Sequence, residues 1–90
     1  MLLEDKVIVI SGVGPGMGQS LARIAAREGA KVAIGARNQA FLDRVADDII
    51  ADGGAVVARS TDVTDAGQCA ALAQAALDAF GRIDGLVNRA

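Results

Sequence analysis

The sequence predicts an α/β protein: a doubly wound parallel sheet, βαβαβαβ along the chain, with its strands in the spatial order 3-2-1-4. Two observations lead there. Short apolar runs alternate with stretches of helical periodicity throughout the 90 residues, and such alternation implies right-handed crossovers between parallel strands. The second observation is local. Lys6 to Gly18 reads KVIVISGVGPGMG, an apolar run that breaks into a glycine cluster just ahead of a helix. In a doubly wound sheet the crevice opens beyond the carboxyl ends of strands 1 and 4, where that cluster falls.

The first strand spans residues 6–11; its Val7, Ile8, Val9 and Ile10 are β-branched and suit burial on both faces. The first helix, residues 17–28, places Met17, Leu21, Ile24 and Ala25 at helical spacing, and Gly29 stops it. The second strand is residues 31–36 (KVAIGA). Asn38 is the expected N-cap of the second helix, which runs to about residue 51 with a buried stripe of Leu42, Val45, Ala46, Ile49 and Ile50. Asp52-Gly53-Gly54 ends it. The third strand is residues 55–59, and Thr64 or Asp65 caps the third helix, which runs to about residue 80. Cys69, Leu72, Ala73, Ala76, Leu77 and Phe80 form its apolar face, and Gly81 closes it. A fourth strand is expected at residues 85–88, GLVN.

Composition narrows the function. Hydrophobic content of 52% with 22% charged residues is that of a globular domain, and its size allows only one. Phe41 and Phe80 are the only aromatic residues, so Ala, Val, Ile and Leu must fill the core. The net charge of −2 and the lack of a basic run give no basis for nucleic-acid or acidic-membrane binding. Cys69 is the single cysteine and His is absent, which argues against a zinc site and a Ser-His-Asp triad. Cys69 is expected to be a buried structural thiol. The opening MLLEDK lacks the features of a signal peptide, no stretch has membrane-spanning character, and a cytoplasmic location is expected.

The glycine turn supplies the chemistry. A strand that turns on glycines into a helix N-terminus gathers backbone N–H groups and the positive end of the helix dipole, an arrangement suited to a pyrophosphate. A Walker A loop would need Lys where Gln19 follows Gly18. The G-x-G-x-x-G spacing fails too, with Met17 or Gln19 in the place of the third glycine. What stands is Ser11-Gly12-x-x-x-Gly16-x-Gly18.

That pattern resembles the TGxxxGxG motif of the short-chain dehydrogenase/reductase family, with Ser for Thr. Asp62-Val63 resembles the family's adenine-binding Asp and its neighbour, and DGLVNRA from Asp84 resembles the start of its D-x-L-V-N-N-A-G segment. The resemblance covers the whole chain and implies that residues 1–90 are the NAD(P)-binding, Rossmann-type half of an oxidoreductase. By position, Gly12, Gly16 and Gly18 would line the pyrophosphate with the Met17 backbone nearby and Ser11 in the same cofactor-binding set, Asp62 would accept a hydrogen bond from the adenine amino group beside the Val63 backbone, and Asn88 would lie near a ribose. Ala36 stands where a carboxylate would favour NAD, and Arg37 follows it; the pattern is similar to that of NADP-preferring members. NADP is therefore the expected cofactor and NAD the alternative, with Arg37 then a solvated turn residue.

Two departures stand out. Arg89 replaces the family's second Asn, and the family's catalytic Ser and Tyr-x-x-x-Lys have no counterparts, for the chain has no Tyr. The 90 residues by themselves are expected to be inactive. The alternative readings are a free-standing dinucleotide-binding module and an assembly unit. An apolar fourth strand without Pro is an exposed edge, so self-association or pairing with a C-terminal half is expected.

Overall fold

The computed structural model describes residues 3–13 and 17–88. It contains β1 (Val7–Ser11), α1 (Met17–Arg27), β2 (Lys31–Ala36), α2 (Gln39–Ala51), β3 (Ala55–Ser60), α3 (Ala66–Phe80) and β4 (Gly85–Asn88). Each element lies where its pattern placed it, with no end shifted by more than one residue. All strand pairs are parallel, and the sheet order is β3-β2-β1-β4. The fold is thus an α/β, Rossmann-like half sheet.

Alternation along the strands assigns the two faces. Ile10, Val32, Ile34 and Ala36 pack with Ala22 and Ala25 of α1 and with Leu42, Val45 and Ile49 of α2. On the opposite face Val7, Val9 and Ala33 meet Leu72 and Ala76 of α3. Burying each of the Val, Leu and Ile side chains among these contributes about 1.5–3 kcal/mol. Gly35 allows α3 its close approach. A Cβ there would stand 2.6 Å from Leu72 Cδ2 and 2.7 Å from Thr61 Oγ1.

The helix stripes differ from expectation in detail. Ile24 and Ile50 are 56% and 58% exposed, because α1 meets the sheet through the small Ala22 and Ala25, and α2 through Leu42, Val45 and Ile49. On α3 the buried stripe is Leu72, Ala75 and Ala76, which leaves Leu77 partly exposed. Cys69 is only half-buried, with Sγ 3.7 Å from the Val63 carbonyl. The α3 face turns toward the sheet rather than toward the loop before it. Across the sheet, α3 lies over β1, β2 and β3. Leu86 of β4, in register with Val9, is 68% exposed on that face.

Helix ends are closed locally. Asn38 Oδ1 accepts from the Phe41 N–H at 3.0 Å, as expected of an N-cap. Asp65, rather than Thr64, caps α3 by accepting from the Gln68 N–H. Gly81 closes α3 in the left-handed region at φ 81°. Ion pairs Arg23–Asp48 and Arg27–Asp52 join α1 to α2 on the solvent side.

Candidate nucleotide site at the carboxyl ends of the strands

Because all four strands run parallel, their carboxyl ends share one edge of the sheet. Ser11 and Gly12 lie at the end of β1, Arg37 after β2, Asp62 and Val63 after β3, and Asn88 at the end of β4. Gly16 lies outside the described residues. Met17 and Gly18 open α1, so its N-terminus points to the same edge. Gly12 has φ 77°, a left-handed conformation that glycine adopts without a Cβ penalty. The chain then folds back over β2, where the Val13 N–H donates to the Gly35 carbonyl at 2.9 Å.

Ser11 and Asn88 are neighbours in register on β1 and β4. The buried Ser11 hydroxyl donates to Asn88 Oδ1 at 2.9 Å, across the point where the strand order reverses. This bond orients the exposed Asn88 amide and leaves its NH2 group without a partner among the described residues. Ser11 thus presents no free hydroxyl proton at this edge, its O–H being bonded to Asn88.

At the other side of the edge, Arg37 Nη2 lies 3.1 Å from Asp62 Oδ1. The same oxygen accepts from the Thr64 N–H at 2.9 Å and the Thr64 hydroxyl at 2.7 Å. These Thr64 bonds, joined by Arg37, hold the Asp62 carboxyl down from its ordinary 3.8 to about 2. Oδ2 makes no hydrogen bond among the described residues and is the open acceptor of the group. The Asp62 N–H donates to Gln68 Oε1 at 2.7 Å, so the first turn of α3 fixes the backbone beside Val63. Ser60 completes the wall: its N–H donates to Gln39 Oε1 and its hydroxyl to the Arg37 carbonyl.

Sequence patterns had pointed to Asp62 and Arg37 separately; the bond between them arises from neighbouring strand ends. Thr64 and Gln68 were overlooked as supports. An Asp two residues before Thr is the signature of a side-chain turn, and Asp65-x-x-Gln68 is that of a capping box. Gln39 had no sequence signal, since its partner Ser60 lies 21 residues away. No group of three or more His, Cys, Asp or Glu among the described residues is placed to hold a metal. No helix among them is long and apolar enough to cross a membrane.

Comparison with known proteins bears on the fold and the family. The chain is 39% identical over 94 residues to L-rhamnose 1-dehydrogenase (NAD(P)(+)) of Azotobacter vinelandii, covering all of this chain and 37% of that protein. A solved short-chain dehydrogenase/reductase from Serratia marcescens superposes with a TM-score of 0.93 at 32% identity, over 99% of this chain and 37% of its own. The actinorhodin polyketide ketoreductase, solved with NADPH, superposes with a TM-score of 0.87 at 29% identity, over 94% of this chain and 33% of its own. The chain thus spans little more than a third of these relatives. The profile of the short chain dehydrogenases matches residues 6–90, and the chain belongs to that family.

Proposed function

We propose that residues 1–90 are the nucleotide-binding half-domain of an NAD(P)-dependent oxidoreductase acting on alcohols or ketones, and that the nucleotide is NADP(H) in preference to NAD(H). The carrying observation is Arg37 at the end of β2, with Ala36 rather than a carboxylate beside it, on the edge that Gly12, Asp62 and Asn88 share. Support comes from relatives whose names carry NAD(P)(+) and NADPH.

The side chains fit such a group. Backbone N–H groups of the turn around Gly12, Gly16, Met17 and Gly18 bind the pyrophosphate at the α1 N-terminus. Asp62 Oδ2 accepts from the adenine amino group, with the Val63 backbone alongside. The Asn88 amide, held by Ser11, donates to a ribose oxygen. The Arg37 guanidinium grips the 2′-phosphate. The bound nucleotide supplies the hydride chemistry. The acid at the substrate oxygen has no candidate here, because the chain has neither Tyr nor His.

A second reading, an assembly unit, is favoured by Leu86, whose exposed side chain lies on β4, a strand paired only with β1 among the described residues. Another copy of the chain, or further strands of a longer protein, would cover it. A lone Cys69 suits a reducing, cytoplasmic setting. Titration calorimetry with NADP+ and NAD+ tests the main reading. Tighter NADP+ binding is expected; no binding of either removes the nucleotide site, and equal affinities remove the preference.

A further inference from the structure

We infer that Asp62 is a cofactor-selecting residue, which restrains the preference for a 2′-phosphate by holding Arg37. This rests on the nucleotide reading above and deepens it. Arg37 is a long cation with 72% of its side chain exposed, and the hydrogen-bond partner of its guanidinium among the described residues is Asp62. Asp62 is the more fixed partner. Its side chain is 35% exposed, and Thr64 clamps Oδ1 with two donors at 2.9 and 2.7 Å. The placed carboxylate therefore decides where the guanidinium rests.

That placement acts on a 2′-phosphate in two ways. Anchoring one N–H leaves the remaining guanidinium donors oriented and available. Against this, a phosphate on the far side of the guanidinium would lie only a guanidinium's width from Asp62, well inside the roughly 8 Å screening length of physiological salt. The carboxylate offsets part of the charge that the phosphate seeks and repels the phosphate itself. With its proton lost down to about pH 2, Asp62 carries its charge under any binding condition. Repulsion applies only to the phosphorylated ribose. The adenine amino group, common to NAD and NADP, gains from the same carboxylate through Oδ2.

Asp62→Asn separates these effects. Asparagine keeps an acceptor for Thr64 and Arg37, removes the charge, and places an amide NH2 where Oδ2 faced the adenine. The expected result, measured by calorimetry on the 90-residue chain with NADP+ and NAD+, is a rise in NADP+ preference. The ratio of the two dissociation constants should shift by roughly 1.5- to five-fold, the scale of one exposed charge pair. In an Arg37→Ala background only the direct repulsion remains, so the same substitution should move the ratio by clearly less. Circular dichroism confirms that each variant is folded. An unchanged or lowered preference in Asp62→Asn, or an equal shift without Arg37, overturns the inference. If the unsubstituted chain binds both nucleotides and only the ratio fails to move, this inference alone falls. If it binds neither, the nucleotide reading falls and takes this inference with it.

Discussion

Asp84 and Asp62 sit at opposite ends of the sheet, and both carboxyls are held below their ordinary range. Asp84 stands just before β4. Its Oδ1 accepts from Arg82 Nε at 3.1 Å and its Oδ2 from the Val7 N–H at 2.8 Å, while its own N–H donates to the Val7 carbonyl. Both oxygens are occupied, and the residue ties the start of β4 to the start of β1. Asp62 instead gathers its three bonds on Oδ1 and leaves Oδ2 open. One aspartate closes the structure; the other presents an acceptor. The amino end of this sheet is built to stay shut, and the carboxyl end retains bonding capacity for a ligand.

The largest expected effect that would break this comparison lies in the glycine turn. Gly16→Val should reduce nucleotide binding below detection and leave most of the helical circular dichroism intact, because a branched side chain blocks the pyrophosphate more than the fold. Undiminished binding would show that the carboxyl end is not the site. Next, Arg37→Ala should weaken NADP+ by about ten-fold, the scale of a lost charge-assisted hydrogen bond, with a smaller change for NAD+. Equal losses by calorimetry would remove Arg37 as the selector.

Alanine substitution then sharpens the contrast between the two aspartates. Asp84→Ala should lower the denaturant midpoint and leave the affinity of the folded protein for NADP+ unchanged, since it leaves the Val7 N–H without an acceptor. Asp62→Ala should do the reverse, weakening nucleotide binding with a smaller loss of stability. A common response from both variants would erase the distinction.

The smallest effect concerns pH. Asp62 falls from 3.8 to about 2 on folding, and Asp84 moves in the same direction. The folded chain therefore binds fewer protons than the unfolded one in this range. The stability these groups contribute is complete above their unfolded values and is lost as pH falls below about 4 toward 2. With no His in the chain, thermal midpoints should be nearly constant from about pH 5 to 8 and decline below that window. A midpoint that rises on acidification to pH 3 contradicts the assignment.

Much of the site was legible residue by residue. Gly12 was marked by its place after an apolar strand, and its φ of 77° accounts for the glycine. Arg37 was marked by its place after strand 2 without a carboxylate beside it, and Asp62 by the resemblance of Asp62-Val63 to the family's motif. Their mutual bond was not, nor was that of Ser11 to Asn88, because each joins residues on neighbouring strands far apart in the chain. The helix faces show the same limit. Periodicity grouped Ile24 with Leu21 and Ala25, but a stripe wide enough to count on a helix is wider than the strip that touches the sheet.

The sequence by itself determined the order of elements, the parallel sheet and the edge of it at which the glycine turn lies. These follow from local signals: β-branched runs, helical spacing, Asn38 and Asp65 as caps, and glycine where the backbone must turn left-handed. The tertiary structure alone decided which partners the site residues take. Register set Ser11 against Asn88, and the adjacent ends of β2 and β3 set Arg37 against Asp62. Such pairings depend on where distant segments meet in space, and a periodicity of two or 3.6 residues carries no information about that.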